Sequence, residues 1–134
     1  MTDEEIERFI GQFEETSLPR SEWTHPMHLM VALVYLVRHG RDEATERIRR
    51  GIQRLNHHYG NDTGYHETVT LAWIVVICRF LEGRRECESL SILSRELIEE
   101  CGARDYLLRY YSRNVLMSSE ARRTWVRPDR SPID

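Results

Sequence analysis

Apolar residues recur at offsets of three and four along most of this chain, the spacing that gathers side chains on one face of a helix. Ile6, Phe9, Ile10 and Phe13 mark a first helix over 3–15, opened by Thr2 and Glu5 at capping-box spacing. Leu18-Pro19-Arg20-Ser21 breaks the pattern, because proline cannot donate a backbone bond and restricts the residue before it. Thr24 then caps a second helix, with Pro26 in its first turn and an apolar run from Leu29 to Val37 that His39-Gly40 ends. A third helix, capped by Asp42, carries Ala44, Ile48, Ile52 and Leu55 as a stripe, with Glu46, Arg47, Arg49, Arg50 and Arg54 as its solvated face. Residues 56–64 form a polar loop rich in Asn and Gly.

The run Leu71–Cys78 is rich in β-branched residues and also fits a buried strand. No Pro or Gly interrupts 65–82, and a lone strand among helices would lack a partner, so a central fourth helix is predicted there. Leu90, Leu93, Leu97 and Ile98 define a fifth helix over 88–101, closed by Gly102. Arg104–Tyr111 and Ser118–Trp125 suit further short helices, and Pro128 and Pro132 keep the tail extended from about residue 126, with Trp125 placed to pin it. The predicted fold is all-α, a single domain over 1–134 of about five to seven helices.

Composition narrows the picture. At 134 residues, 40% hydrophobic and 31% charged, the chain suits one globular domain with one core. A net charge of −3 gives no general attraction to nucleic acid or anionic membrane, although every one of the 19 basic residues is arginine. No apolar run approaches the roughly 20 residues that cross a bilayer. The acidic start Met1–Ile6 lacks the pattern of a secretory signal, which leads to the expectation of a cytoplasmic protein. Cys78, Cys87 and Cys101 form neither a disulfide framework nor a Cys-x-x-Cys knuckle, and Cys78 is expected to be a small buried hydrophobe.

The candidate chemistry lies at two predicted helix openings, Trp23-Thr24-His25-Pro26-Met27-His28 and Gly64-Tyr65-His66-Glu67-Thr68. His25 and His28, three apart, share a face that continues through Ala32 and Tyr35, and the face of His66 continues through Thr70 and Trp73. Polar groups above an apolar floor are the usual make-up of a small-molecule pocket, here with Tyr35, Tyr65, Thr70 and Trp73 on its walls. His25, His28 and His66 are together a candidate ligand set for Zn²⁺, Fe²⁺, Mn²⁺ or Ni²⁺, with positions left for water or substrate. Glu67 points about 100° away from His66 and suits the role of base better than ligand. The His-Glu-x-x-His spacing of zincins is absent, and no organic cofactor is indicated.

The pattern Trp23-Thr24-His25 with His28-Leu29, then Gly64–Thr68 with Thr70, resembles that of a set of small bacterial proteins of unassigned function. Tyr111-Ser112-Arg113, Leu116, Ser118, Ala121-Arg122 and Pro128-Asp129 are similar to that set as well. The resemblance implies no activity. DinB-like bundles, which hold a metal with three histidines, are a looser architectural analogy with different spacings. Two expectations follow: a metal-dependent enzyme acting on a small molecule, or a non-enzymatic helical binding or interaction module whose histidines only order helix starts. Either leaves a homo-oligomer open.

Overall fold

A computed structural model describes residues 1–84 and 88–133, and all of its regular structure is helical. The helices are α1 (Asp3–Glu15), α2 (His25–His39), α3 (Arg41–His58), α4 (Glu67–Glu82), α5 (Leu90–Cys101), α6 (Arg113–Leu116) and α7 (Ser119–Arg123). Single 3-10 turns lie at Arg20–Glu22 and Tyr106–Arg109, and no strand occurs among the described residues. The expected all-α bundle is therefore observed. None of the described helices is long and apolar enough to cross a membrane.

Local chemistry sets most helix ends. Thr2 and Glu5 form the reciprocal capping box, Glu5 N donating to Thr2 Oγ1 at 3.1 Å and Thr2 N to Glu5 Oε1 at 3.0 Å. Thr24 does occupy the N-cap of α2, although its side chain makes no capping bond. The cap of α3 is Gly40 rather than Asp42, which falls in the first turn of that helix. The α3 helix also runs through His57 and His58, so the polar loop starts later than its composition suggests. Ser89 caps α5, which starts at Leu90, two residues beyond the expected start at 88, and Cys87 lies outside the described residues. The predicted helix over Arg104–Tyr111 is only the 3-10 turn, and Ser112 and Ser118 cap the two short helices that follow.

The core forms around α2 and α4. Every residue from Leu29 to Leu36 and from Ala72 to Ile77 is buried, so both helices are enclosed on all sides. That enclosure accounts for the strand-like run in α4: packing is needed all round, and β-branched side chains supply it without a sheet. Helix α2 packs against α3, α4 and α5, while α4 also meets α3 and α7. Gly51 lets α3 close onto the fully buried Phe13 of α1, since a Cβ there would overlap the phenyl ring. Cys78 is only half-buried, being near the outer end of α4.

The tail over 124–133 is irregular yet fastened. Buried Thr68 on α4 donates from Oγ1 to the Thr124 carbonyl at 2.7 Å and accepts from Val126 N at 3.1 Å. Tyr111 Oη donates to the Val126 carbonyl at 2.7 Å, and Arg79 holds the carbonyl of buried Ile133 at 2.8 Å. Trp125, the expected pin, is 38% exposed and meets Tyr111 edge-on. The tail is held mainly through its backbone.

Candidate functional site

The two helix openings converge on one cavity of about 600 Å³ lined by α2, α3, α4 and the loops beside them. His25, His28, Tyr65, His66, Thr70 and Trp73 all line it, over an apolar floor that includes Leu29, Ile52 and Ile74. The openings meet because the apolar bodies of α2 and α4 must lie side by side in one core. Sequence reasoning missed several other lining groups: Trp23, Asn56, Tyr59, Asn61, Arg20 and Arg104. Asn56, Tyr59 and Asn61 carried a turn signal that concealed their role as walls.

Each imidazole is in a different condition. His28 meets the Trp23 ring edge-on, with centroids 3.9 Å apart. Burial, reinforced by nearby His25 and only partly opposed by the Thr24 carbonyl, pushes its pKa down to about 4. His25 packs against Trp73 at 5.4 Å, and burial followed by the Arg104 charge lowers its pKa against the pull of the Gly102 carbonyl. The buried Nε2 of His25 and Nε1 of Trp23 have no hydrogen-bond partner among the described residues.

His66 is a capping residue rather than a member of the helix. Its Nδ1 accepts from Val69 N at 3.1 Å, and its Nε2 lies 2.7 Å from the Leu116 carbonyl. A backbone N–H can only donate and a carbonyl can only accept, so these partners fix the neutral tautomer with the proton on Nε2. Burial lowers its pKa in the same sense, opposed by the Leu116 carbonyl. In this tautomer the one lone pair of the ring is already committed to the helix cap. His66 therefore reaches the cavity wall without a nitrogen free to ligate, and among the described residues no group of three or more His, Cys, Asp or Glu has a metal-holding arrangement.

Glu67 and Tyr35 lie elsewhere. Arg49 donates to both oxygens of Glu67, from Nε at 3.1 Å and Nη2 at 2.8 Å, and Tyr65 Oη donates to Oε1 at 2.5 Å. Burial would raise the pKa of Glu67, but the Arg49 and Tyr65 bonds outweigh it and hold the carboxyl below its ordinary value. The Tyr65 hydroxyl is pushed up to about 12 by burial and this bond. Glu67 is thus a clamped anion outside the cavity lining, a poor geometry for the expected base. Arg49, assigned from its pattern to the solvated face of α3, instead turns toward α4. Tyr35 stands seven residues beyond His28, roughly 10 Å further along the axis. Its hydroxyl donates to Glu14 at 2.8 Å, and Tyr35 is not among the residues lining the cavity.

Chemically, the cavity offers neutral imidazole and indole contacts over an apolar floor. A base with a pKa near 4 accepts a proton weakly at neutral pH, so His28 suits fixed polar contact better than proton abstraction. Comparison with protein-family models, with curated proteins and with solved structures returned no match.

Proposed function

We propose that this domain binds a small organic molecule in the cavity between α2, α3 and α4, with neutral His25 and His28 as polar contacts. The observation that carries the proposal is the convergence of both histidine-bearing helix openings on one cavity of about 600 Å³, a size suited to small ligands. The unpartnered Trp23 Nε1 and His25 Nε2 support it, since a ligand that bonded them would relieve a desolvation cost of about 1–3 kcal/mol each. N-phenyl-1-naphthylamine is a suitable neutral probe, because Trp23 and Trp73 line the cavity and report its arrival by energy transfer. Thr70→Phe should fill the space and weaken the probe by roughly tenfold or more, with the fold unchanged by dichroism. Equal binding by both proteins, or binding by neither, would overturn the proposal.

A metal-dependent enzyme is a second reading, favoured by the adjacent His25 and His28 on one wall of the cavity. A third ligand from His66 would require it to release Val69 N–H or the Leu116 carbonyl. Stoichiometric Zn, Fe, Mn or Ni in protein purified without a histidine tag would support this reading, and metal-free protein that binds the probe would reject it.

A further inference from the structure

The charged groups around the cavity point to the class of ligand. Arg20, from the turn before α2, and Arg104, from the loop after α5, both line it, while among the described residues no Asp or Glu does. Both arginines are exposed, so their guanidinium groups stand near solvent rather than in the core. Among the described residues neither forms an ion pair with a carboxylate. The nearest acid in sequence to the histidine motif on α4, Glu67, is neutralised by Arg49. A smaller hollow of about 330 Å³ shares His25, Trp73 and Arg104 with the cavity and adds Arg113 and Asp105, again leaving cations in excess. Positive partial charge at the first turns of α2 and α4 acts in the same direction.

A cavity whose described lining holds guanidinium groups, no carboxylate and an apolar floor favours an anion carried on an apolar body. The guanidinium plane matches the oxygens of carboxylate and phosphate, and aromatic or branched carbon fills the space beside Trp73, Leu29 and Ile74. We propose that the ligand is a small organic oxyanion, a carboxylate or phosphate ester with an aromatic or branched aliphatic body, whose charged group is held by Arg20 and Arg104; this rests on the small-molecule reading above. Cationic molecules of the same shape are disfavoured by the same groups, and uncharged ones gain nothing from them.

1-Anilinonaphthalene-8-sulfonate and N-phenyl-1-naphthylamine share one body and differ by an anionic group, which isolates the charge contribution. Wild-type protein should bind the sulfonate more tightly by about tenfold or more, and added salt should weaken the sulfonate alone. Arg20→Gln with Arg104→Gln should bring the sulfonate down to the affinity of the neutral probe and leave the latter unchanged. Arg50→Gln, on an outward-facing side chain that is 75% exposed, should change neither. Displacement of the sulfonate by 1-naphthaleneacetate or by 1-naphthyl phosphate supports the proposal, and the stronger competitor identifies the anionic group. Equal affinity for both probes in wild type and the double variant, or displacement by neither acid, would overturn it. Loss of the neutral probe from wild-type protein would instead remove the small-molecule reading, and this inference with it.

Discussion

Arg49 and Glu67 join α3 to the first turn of α4 through a two-pronged contact, Nε to Oε1 at 3.1 Å and Nη2 to Oε2 at 2.8 Å. Their side chains are 26% and 18% exposed, so solvent screens the pair only in part. The contact fixes the start of α4, and with it one wall of the cavity. Glu67→Gln should therefore cost about 1.5–3 kcal/mol of stability while leaving probe binding within a few fold. Arg49→Gln should cost a similar amount, and the double variant much less than the sum. Denaturant titration of the four proteins measures this. Additive costs, or a loss of binding confined to Glu67→Gln, would restore Glu67 to a direct role in the site.

Acid should loosen the fold through His28 before it reaches the carboxylates. Its pKa falls from 6.5 to about 4 on folding, so between these values the unfolded chain holds more protons than the folded one. Stability is therefore lost as pH falls from 6.5 toward 4 and levels off below, with up to about 3 kcal/mol assigned to this group. His25 and His66 are shifted in the same direction and add to the slope. Glu67 contributes separately: its depressed pKa gives stability that is present above about 4.5 and lost below it. Unfolding free energies measured from pH 7 to 4 should fall steadily for wild type and less steeply for His28→Gln. Parallel curves would mean that His28 is solvated.

Thr68 tests the fastening of the tail. Its hydroxyl serves two backbone groups of 124–126 at once, and valine has the same shape without the hydroxyl. Thr68→Val should cost about 1–3 kcal/mol, because it leaves the Thr124 carbonyl and the Val126 amide short of partners. Hydrogen exchange should quicken over 124–133 while α2 and α5 keep their protection. Unchanged exchange in the tail would transfer the fastening to Tyr111 and Arg79.

How much the sequence revealed depended on the range of the interaction. The capping box of Thr2 and Glu5, the stripe of Phe9 and Phe13 and the stop at Gly40 depend on neighbours within four residues, and all were legible. His25, His28 and His66 could be expected to converge because two apolar helices must pack together. The lone pair of His66 is committed locally, to Val69 N–H, but the partner of its Nε2 proton is Leu116, 50 residues away, and no periodicity announces a carbonyl at that distance. Arg49 looked solvated because its helical neighbours are, yet a single inward rotation places it on Glu67. Arg20 and Arg104 were hidden for the same reason: each lies in an ordinary polar connector, and only the fold brings both to the cavity.

The most direct measurement of the central claim is the ring-nitrogen NMR spectrum of the six histidines, followed while N-phenyl-1-naphthylamine is added at pH 7. Before addition, His28 should be neutral and His66 should show a single tautomer with the proton on Nε2. On addition, the signals of His25 and His28 should move together in proportion to probe bound, while His57 and His58, exposed at the end of α3, should remain in place. Movement confined to His57 and His58, or binding with His25 and His28 unmoved, would place the ligand outside the cavity and contradict the account.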